Sequence, residues 1–111
     1  MTQYEIWWAE LPAPAGKRPV LLLSRPDSYE YLNKFVAAEI TTTIRHIPVE
    51  VSLGPAEGLA KKCAANCDNL RTVSRSSLFK RAGVLARARE AEVKRAVGYA
   101  LAWDELIDAK P

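Results

Sequence analysis

Short apolar and aromatic runs, separated by turns that contain Pro or Gly, occupy the first two thirds of the chain. The segments YEIWWAEL, RPVLLLS, KFVAAEITTTIR and IPVEVSL have the length and the β-branched or aromatic content of strands. Val20–Leu23 has no polar alternation, which predicts a strand covered on both faces. DSYEYLN is expected to be a turn or short helix and GPAEGL a turn, and the region NCDNLRTVSRSSL is expected to return as a strand with a basic side.

From Arg87 to Ile107 the apolar spacing changes to that of one amphipathic helix. Its apolar stripe recurs at i, i+3, i+4 and i+7, and comprises Val93, Ala96, Val97, Ala100, Trp103 and Ile107. Trp103 on this stripe is expected to pack inside the protein or at a subunit contact. Gly98 costs a helix about 1 kcal/mol relative to Ala, which predicts close packing there. No Ser, Thr or Asp directly precedes the helix to cap it.

Several short strands followed by one helix predict a mainly β fold, in which a strongly bent antiparallel sheet or small barrel packs against the helix. The 111 residues suffice for a single domain spanning 1–111, and 49% apolar with 26% charged residues is ordinary globular composition. No run reaches the roughly 18 apolar residues of a membrane span, and MTQYEIWWAE lacks the layout of a signal peptide. We therefore expect a cytoplasmic location and no membrane association.

The Cys and His content does not favour a metal centre. Cys63 and Cys67 are the only cysteines, His46 is the only histidine, and a structural zinc site usually needs four ligands. A disulfide would require an oxidising compartment, which nothing in the sequence indicates. We expect two small buried cysteines, no metal and no cofactor.

Positive charge is concentrated in one part of the chain. The net charge is +3, but residues 61–95 contain ten Lys and Arg against three acidic residues, an excess of seven. Such an excess suits an anionic partner, either nucleic acid or an acidic polypeptide. A merely solvated basic surface fits this pattern equally well.

Two further stretches contain residues suited to binding phosphate. Arg18 precedes Pro19, whose ring disfavours helical geometry for the residue before it, so we expect an extended backbone at Arg18. A fixed guanidinium can hold a phosphate, although such an arginine can also be purely structural. In EITTTIR, strand alternation would put Glu39, Thr41, Thr43 and Arg45 on one face. That face would present hydroxyls beside charges, or would simply be a half-exposed strand.

Together these blocks resemble the MazF/PemK family of toxins. The resemblance covers roughly Glu5 to Trp103 and is carried by EIWWAELP, GKRPVLLLSR, ITTTIRHIPVEVSLGPAEGL and ANCDNLRTV, in this order, before a C-terminal helix. It implies an SH3-like barrel of the MazF/CcdB type that forms a homodimer. It also implies cleavage of single-stranded RNA without a metal ion, by the toxin of a type II toxin–antitoxin system. The implied antitoxin lays an acidic, otherwise disordered tail over the RNA groove.

By motif, the resemblance gives Arg18 and Thr41 as the catalytic pair. A ribose 2′-OH would attack the phosphodiester, displace the 5′-oxygen and leave a cyclic phosphate and a 5′-hydroxyl. Arg18 would stabilise the charge that develops on phosphate, and Thr41 would donate an orienting hydrogen bond. Arginine keeps its proton up to a pKa above about 12, so it is a poor general base. The group that deprotonates the 2′-OH is not evident from the sequence.

Substrate contacts are expected from six more residues, for each of which another role stays open: Lys17, Arg25, Thr43, Arg45, Asp68 and Asn69. The three cations could hold phosphates or be ordinary surface charges. Asp68 and Asn69 match the family's polar pair before a strand, and could read a base edge or hold a turn.

The remaining candidates are the histidine and three aromatic residues. Strand alternation puts His46 on the side of Ile44, opposite Thr41, so we interpret it as a structural or rim residue. Trp7, Trp8 or Tyr29 could stack on bases, but adjacent tryptophans on a strand face opposite ways, so at least one should be in the core.

Two other functions are compatible with the sequence. A gyrase-targeting toxin of the CcdB type shares the fold, but its activity depends on a Trp-Gly-Ile chain end, whereas this sequence ends in WDELIDAKP. A non-catalytic module that binds RNA or an acidic peptide would need the same cations as a nuclease.

Overall fold

A bent, fully antiparallel sheet of six strands is the centre of the molecule. The computed structural model describes residues 1–111. The strands are β1 (Glu5–Leu11), β2 (Gly16–Leu22), β3 (Lys34–Thr41), β4 (Glu50–Leu53), β5 (Cys63–Ser74) and β6 (Leu78–Val84). They are hydrogen-bonded in the order β4-β5-β3-β2-β1-β6, which gives a half-barrel and confirms the predicted fold class.

Three helices accompany the sheet: α1 (Ser28–Tyr31), α2 (Glu90–Leu101) and α3 (Asp104–Ile107). Short 3₁₀ turns at Pro55–Glu57, Arg75–Ser77 and Arg87–Arg89 connect the later elements. None of the helices has the length and apolar character needed to cross a membrane.

The apolar strand β2 is covered on both faces, as predicted. Val20, Leu21 and Leu22 have no exposed surface. Leu21 packs in the helix-side core, which includes Val93 and Ala96 of α2. Val20 and Leu22 pack in a second cluster on the opposite face of the sheet, with Phe35. Because alternate side chains point to opposite faces, this burial fixes the direction of every residue along β2.

The chain has one strand that the sequence analysis did not predict. β6 pairs only with β1, so it is an edge strand, and most of its side chains are exposed or half-buried. The polar residues Lys80 and Arg81 therefore interrupt its apolar pattern, as is common on edge strands that face solvent.

The strand predicted to run through Arg45 ends at Thr41 instead. Beyond Thr41 the chain folds back on the Glu50 carboxylate, which accepts backbone N–H bonds from Arg45 (3.1 Å) and His46 (2.9 Å). His46 has a φ of 55°, which no strand residue adopts. Strand alternation therefore does not apply to residues 42–46.

The single helix predicted over 87–107 is broken. α2 ends at Leu101, Ala102 takes a left-handed φ of 52°, and α3 turns back over Gly98. A Cβ added at Gly98 would lie 2.6 Å from the backbone nitrogen of Ile107, so the predicted close packing at this glycine is confirmed. Trp103 lies at the break and is 51% exposed, so it does not pack inside the chain; its expected place at a subunit contact stays a prediction.

Two smaller expectations are also met. The first residues of α2 receive no capping bond from a side chain at Arg89. Cys63 and Cys67 are free and buried, and burial raises the pKa of the Cys67 thiol to about 11.

Candidate active site

Arg18 lies on β2, two residues before the fully buried segment that begins at Val20. Its backbone is extended within β2 and pairs with Ala9 of β1, as its position before Pro19 predicts. Its side chain shares a face with Val20, which is directly opposite Glu39 on β3. Continuing this register by two residues on each strand brings Arg18 opposite Thr41.

Thr41 is the last residue of β3, and its hydroxyl is held by the loop that follows. The backbone N–H of Thr43 donates to Thr41 Oγ1 over 3.1 Å. Since the oxygen is used as an acceptor there, the hydroxyl proton is left to donate to another group. The half-buried Thr41 side chain is thus a positioned donor at the rim of the sheet.

A bulge in β5 brings two asparagines to the same place. Ala38 pairs with Leu70 but the next residue, Glu39, pairs with Asn66, so β5 has three extra residues between these pairs. Such a bulge bends the strand and redirects its side chains. Asn66 is buried and accepts the N–H of Asp68 (2.9 Å), whereas Asn69 is exposed and turned toward Thr41 and Thr43.

These elements form one polar pocket of about 180 Å³, which we call the Arg18 pocket. None of its lining residues is hydrophobic: they are Arg18, Glu39, Thr41, Thr43, Arg45, Asn66 and Asn69. Glu39 lies at the bottom of this pocket. Its Oε2 is 2.9 Å from Arg71 Nη1, and its Oε1 is 3.9 Å from Arg18 Nε. A larger hollow of about 520 Å³, between Leu11 and Ser74, contains neither Arg18 nor Thr41.

The structure brings five of the eight predicted site residues together in the Arg18 pocket: Arg18, Thr41, Thr43, Arg45 and Asn69. Three lie outside it. Lys17 is over the ring of Phe79 at 5.8 Å, Arg25 pairs with Asp27 at 3.0 Å, and Asp68 is exposed at the β5 bulge. A substrate role for these three stays a prediction.

The remaining candidates are separate from the Arg18 pocket. His46 lies in a neighbouring hollow with Ile44 and Arg89. Tyr29 is buried against Phe35, with ring centroids 4.5 Å apart, so it is not accessible to a base.

The two adjacent tryptophans face opposite ways, as predicted. Trp7 packs on the second cluster. Trp8 lines a hollow of about 290 Å³ with Pro19 and Thr41, directly beside the Arg18 pocket. Of the three aromatic candidates, Trp8 is therefore the one next to the candidate site.

The pocket also contains residues that the sequence analysis did not select, namely Glu39, Asn66 and, behind Glu39, Arg71. Strand alternation along EITTTIR places Glu39 on the same face as Thr41, so this pattern could have identified Glu39 as a pocket residue. Asn66 depends on the β5 bulge, which has no clear signature in ANCDNLRTV, and Arg71 reaches Glu39 only through the pairing of β5 with β3.

Comparison with known proteins identifies the family of the chain. Residues 2–101 match the family described as the PemK-like, MazF-like toxin of type II toxin–antitoxin systems. The chain is 40% identical over 86 residues to the probable endoribonuclease MazF5 of Mycobacterium tuberculosis, covering 77% of this chain and 78% of that one.

Solved structures show the same similarity. The toxin MazF-mt6 of Mycobacterium tuberculosis superposes with a TM-score of 0.83 at 32% identity, over 88% of this chain and 96% of that one. An endoribonuclease in complex with its cognate antitoxin, from a mycobacterial species, gives 0.79 at 25% identity, over 93% and 96%. With the family match covering most of the residues, the chain belongs to the PemK-like, MazF-like toxins of type II toxin–antitoxin systems.

Proposed function

We propose that this MazF-family endoribonuclease cleaves single-stranded RNA without a metal ion, by attack of a ribose 2′-OH on the adjacent phosphodiester. The products are a cyclic phosphate and a 5′-hydroxyl end. One observation carries the proposal: Arg18 and Thr41, from neighbouring strands, line one small pocket that has no hydrophobic residue.

Arg18 stabilises the charge that develops on the phosphate. Its side chain is 34% exposed, and its one ion pair, to Glu39, is long at 3.9 Å. The guanidinium therefore has N–H groups free for the non-bridging oxygens, to which it can donate two parallel bonds. Donors fixed in advance at such a position stabilise the transition state more than the ground state.

Thr41 supplies a second, neutral donor to the same phosphate. Its hydroxyl oxygen accepts the N–H of Thr43, and its proton is free to be donated to a phosphate bound in the Arg18 pocket. Thr43, Arg45 and Asn69 extend the polar surface, where they contact the neighbouring phosphates and a base edge.

The partners are a second copy of the chain and an antitoxin of the MazE type. The solved relative in complex with its cognate antitoxin supports the antitoxin. An acidic antitoxin tail would occupy the cationic Arg18 pocket and exclude RNA from it. The proposal includes a cytoplasmic location, where the RNA and the antitoxin are both present.

Cleavage of a single-stranded RNA in EDTA tests this function. We expect fragments with 5′-hydroxyl ends from the wild-type protein, and none from Arg18→Ala. Lys34→Ala is the matched control, since Lys34 is an exposed cation on the neighbouring strand β3 and lies outside the Arg18 pocket. RNA that is retained but intact would instead indicate a binding module. Loss of supercoiling by gyrase with no RNA cleavage would indicate a gyrase toxin.

The melting temperature of each variant completes the experiment. Arg18 is a half-buried residue of β2 and its side chain makes no close ion pair, so Arg18→Ala should melt within a few degrees of wild type. A large drop in melting temperature would mean that Arg18 is structural.

A further inference from the structure

The Arg18 pocket contains one side chain that can accept a proton at neutral pH. Its other lining residues are arginines, threonines and asparagines. Arginine stays protonated, and neither amides nor aliphatic hydroxyls accept a proton in this range. The carboxylate of Glu39 is the exception, and no histidine or second carboxylate lines the pocket.

We propose that Glu39 is the general base that takes the proton from the attacking 2′-OH. This assignment rests on the proposed function and identifies the group that the reaction needs beside Arg18 and Thr41. Glu39 is at the end of β3, two residues before Thr41 and on the same face of the strand.

The distances around Glu39 fit this role. Arg18 Nε lies 3.9 Å from Glu39 Oε1. A phosphate oxygen bonded to the same guanidinium, at roughly 2.8 Å from nitrogen, comes within a few ångströms of that carboxylate oxygen. The 2′-oxygen that attacks this phosphorus is adjacent to the non-bridging oxygens, so an RNA held by Arg18 can bring its 2′-OH to Oε1.

The surroundings fix the carboxylate in place without blocking it. Arg71 Nη1 binds the other oxygen, Oε2, at 2.9 Å, and the Glu39 side chain is 19% exposed. One carboxylate oxygen is thus used for anchoring, and the other faces Arg18 and the pocket. The charged groups that face Glu39 are Arg18 from β2, Arg71 from β5 and Arg45 from the loop after β3.

The step balances in protons and bonds. The Glu39 carboxylate removes the 2′-OH proton as the 2′-oxygen forms its bond to phosphorus. The bond from phosphorus to the 5′-oxygen breaks, and that oxygen leaves with the electron pair and takes a proton from water. The protonated Glu39 then releases its proton to solvent, which restores the base.

The test compares Glu39→Gln with wild type on an RNA substrate and on its uncleavable 2′-deoxy analogue. Glutamine keeps an oxygen for Arg71 but does not accept a proton. We expect the cleavage rate to fall roughly 10²–10⁴-fold, with binding of the analogue and the melting temperature close to wild type. Glu10→Gln, a change at an exposed strand glutamate outside the pocket, should leave the rate unchanged.

The pH dependence separates a base from a residue that only positions Arg18. The wild-type rate should fall on acidification, and Glu39→Gln should lose this acidic limb. Glu39→Asp, which retains a carboxylate, should be slower but keep the limb.

If wild type cleaves RNA while Glu39→Gln keeps either its rate or its acidic limb, the base assignment alone is overturned. If wild type leaves the RNA intact, the proposed function is overturned and the base assignment falls with it.

Discussion

Arg18 and Thr41 are positioned by their neighbours in the chain in two different ways. Pro19 restricts the backbone at Arg18 before any tertiary contact forms. Thr41, in contrast, acquires its orientation only when the strand ends and the N–H of Thr43 reaches its hydroxyl. The extended backbone at Arg18 can therefore be predicted from the two residues Arg18 and Pro19, whereas the orientation of the Thr41 hydroxyl depends on the folded loop.

Adjacent threonines provide a residue-scale prediction. Thr41 lines the Arg18 pocket, whereas Thr42 is exposed and lies outside it. Thr41→Val keeps the shape and removes the hydroxyl, so we expect the cleavage rate to fall about 10²–10³-fold, as for loss of one preorganised donor. Thr42→Val should leave the rate close to wild type, because Thr42 does not line the pocket. Initial rates on one RNA measure both, and equal effects would contradict a specific role for Thr41.

At the scale of elements, the sequence pattern predicts the strands whose side chains are buried, but it does not predict the edge strand or the bulge. The apolar run of β2 and the aromatic β1 are evident because their side chains are buried. The edge strand β6 and the early end of β3 are missed because their side chains meet solvent. The Arg18 pocket is half predictable for the same reason: Arg18 and Glu39 follow from the strand pattern, but Asn66 reaches the pocket through a bulge.

The first turn of α2 is joined to the sheet by Arg89. Its guanidinium donates to both oxygens of Glu92 at 2.8 Å, to the Ser52 carbonyl at 2.6 Å and to Glu57 at 3.3 Å. The hydrogen bond from Arg89 lowers the pKa of the Glu92 carboxyl below its ordinary value of 4.5. This pair therefore stabilises the folded chain above the unfolded-state pKa, and the contribution is lost as the pH falls through the folded-state pKa.

We expect Glu92→Gln to lower the free energy of unfolding by about 0.5 kcal/mol at pH 7, since Glu92 is partly exposed. The difference from wild type should shrink as the pH falls below 4.5. Urea unfolding at a series of pH values measures it. Glu90→Gln removes a charge from the same helical turn without touching Arg89, so it controls for the helix dipole. If the free energy of unfolding of Glu92→Gln stays below that of wild type by the same amount down to acid pH, the ion pair with Arg89 is not the cause.

Gly98 decides how α2 and α3 fit together. Alanine favours a helix by about 1 kcal/mol relative to glycine. Here, however, the methyl group added by alanine would lie 2.6 Å from the Ile107 nitrogen and 2.9 Å from Leu106. Backbone atoms cannot easily move to relieve such a contact. We expect this steric overlap to outweigh the gain in helix propensity, so that Gly98→Ala lowers the free energy of unfolding by about 1–3 kcal/mol. Lys94→Ala, at an exposed position of the same helix, is the control, and a stabilised Gly98→Ala would overturn this packing.

For the whole molecule, the cationic excess in the sequence overstates the charge available to a partner. Of the ten cations between residues 61 and 95, five have guanidinium groups bonded to carboxylates or carbonyls of the protein itself: Arg71, Arg75, Arg81, Arg89 and Arg95. These arginines hold the sheet, the turns and the chain end together. The sequence shows their number, and only the fold shows that they are already engaged.

Because five of these ten cations are already bonded within the protein, we expect a shallow salt dependence of RNA binding. With roughly 2–4 phosphate contacts around the Arg18 pocket, the logarithm of the affinity for the 2′-deoxy analogue should fall with the logarithm of salt concentration at a slope of about −1.4 to −2.8. A surface that used all ten cations would give a slope near −7. Arg45→Ala should reduce the slope by about 0.7, because it removes one phosphate contact. Arg95→Ala should not change it, because that guanidinium is bonded to the Ala109 carbonyl at 2.9 Å. A wild-type slope steeper than about −5 would mean that RNA binds across the basic surface and not at the pocket alone.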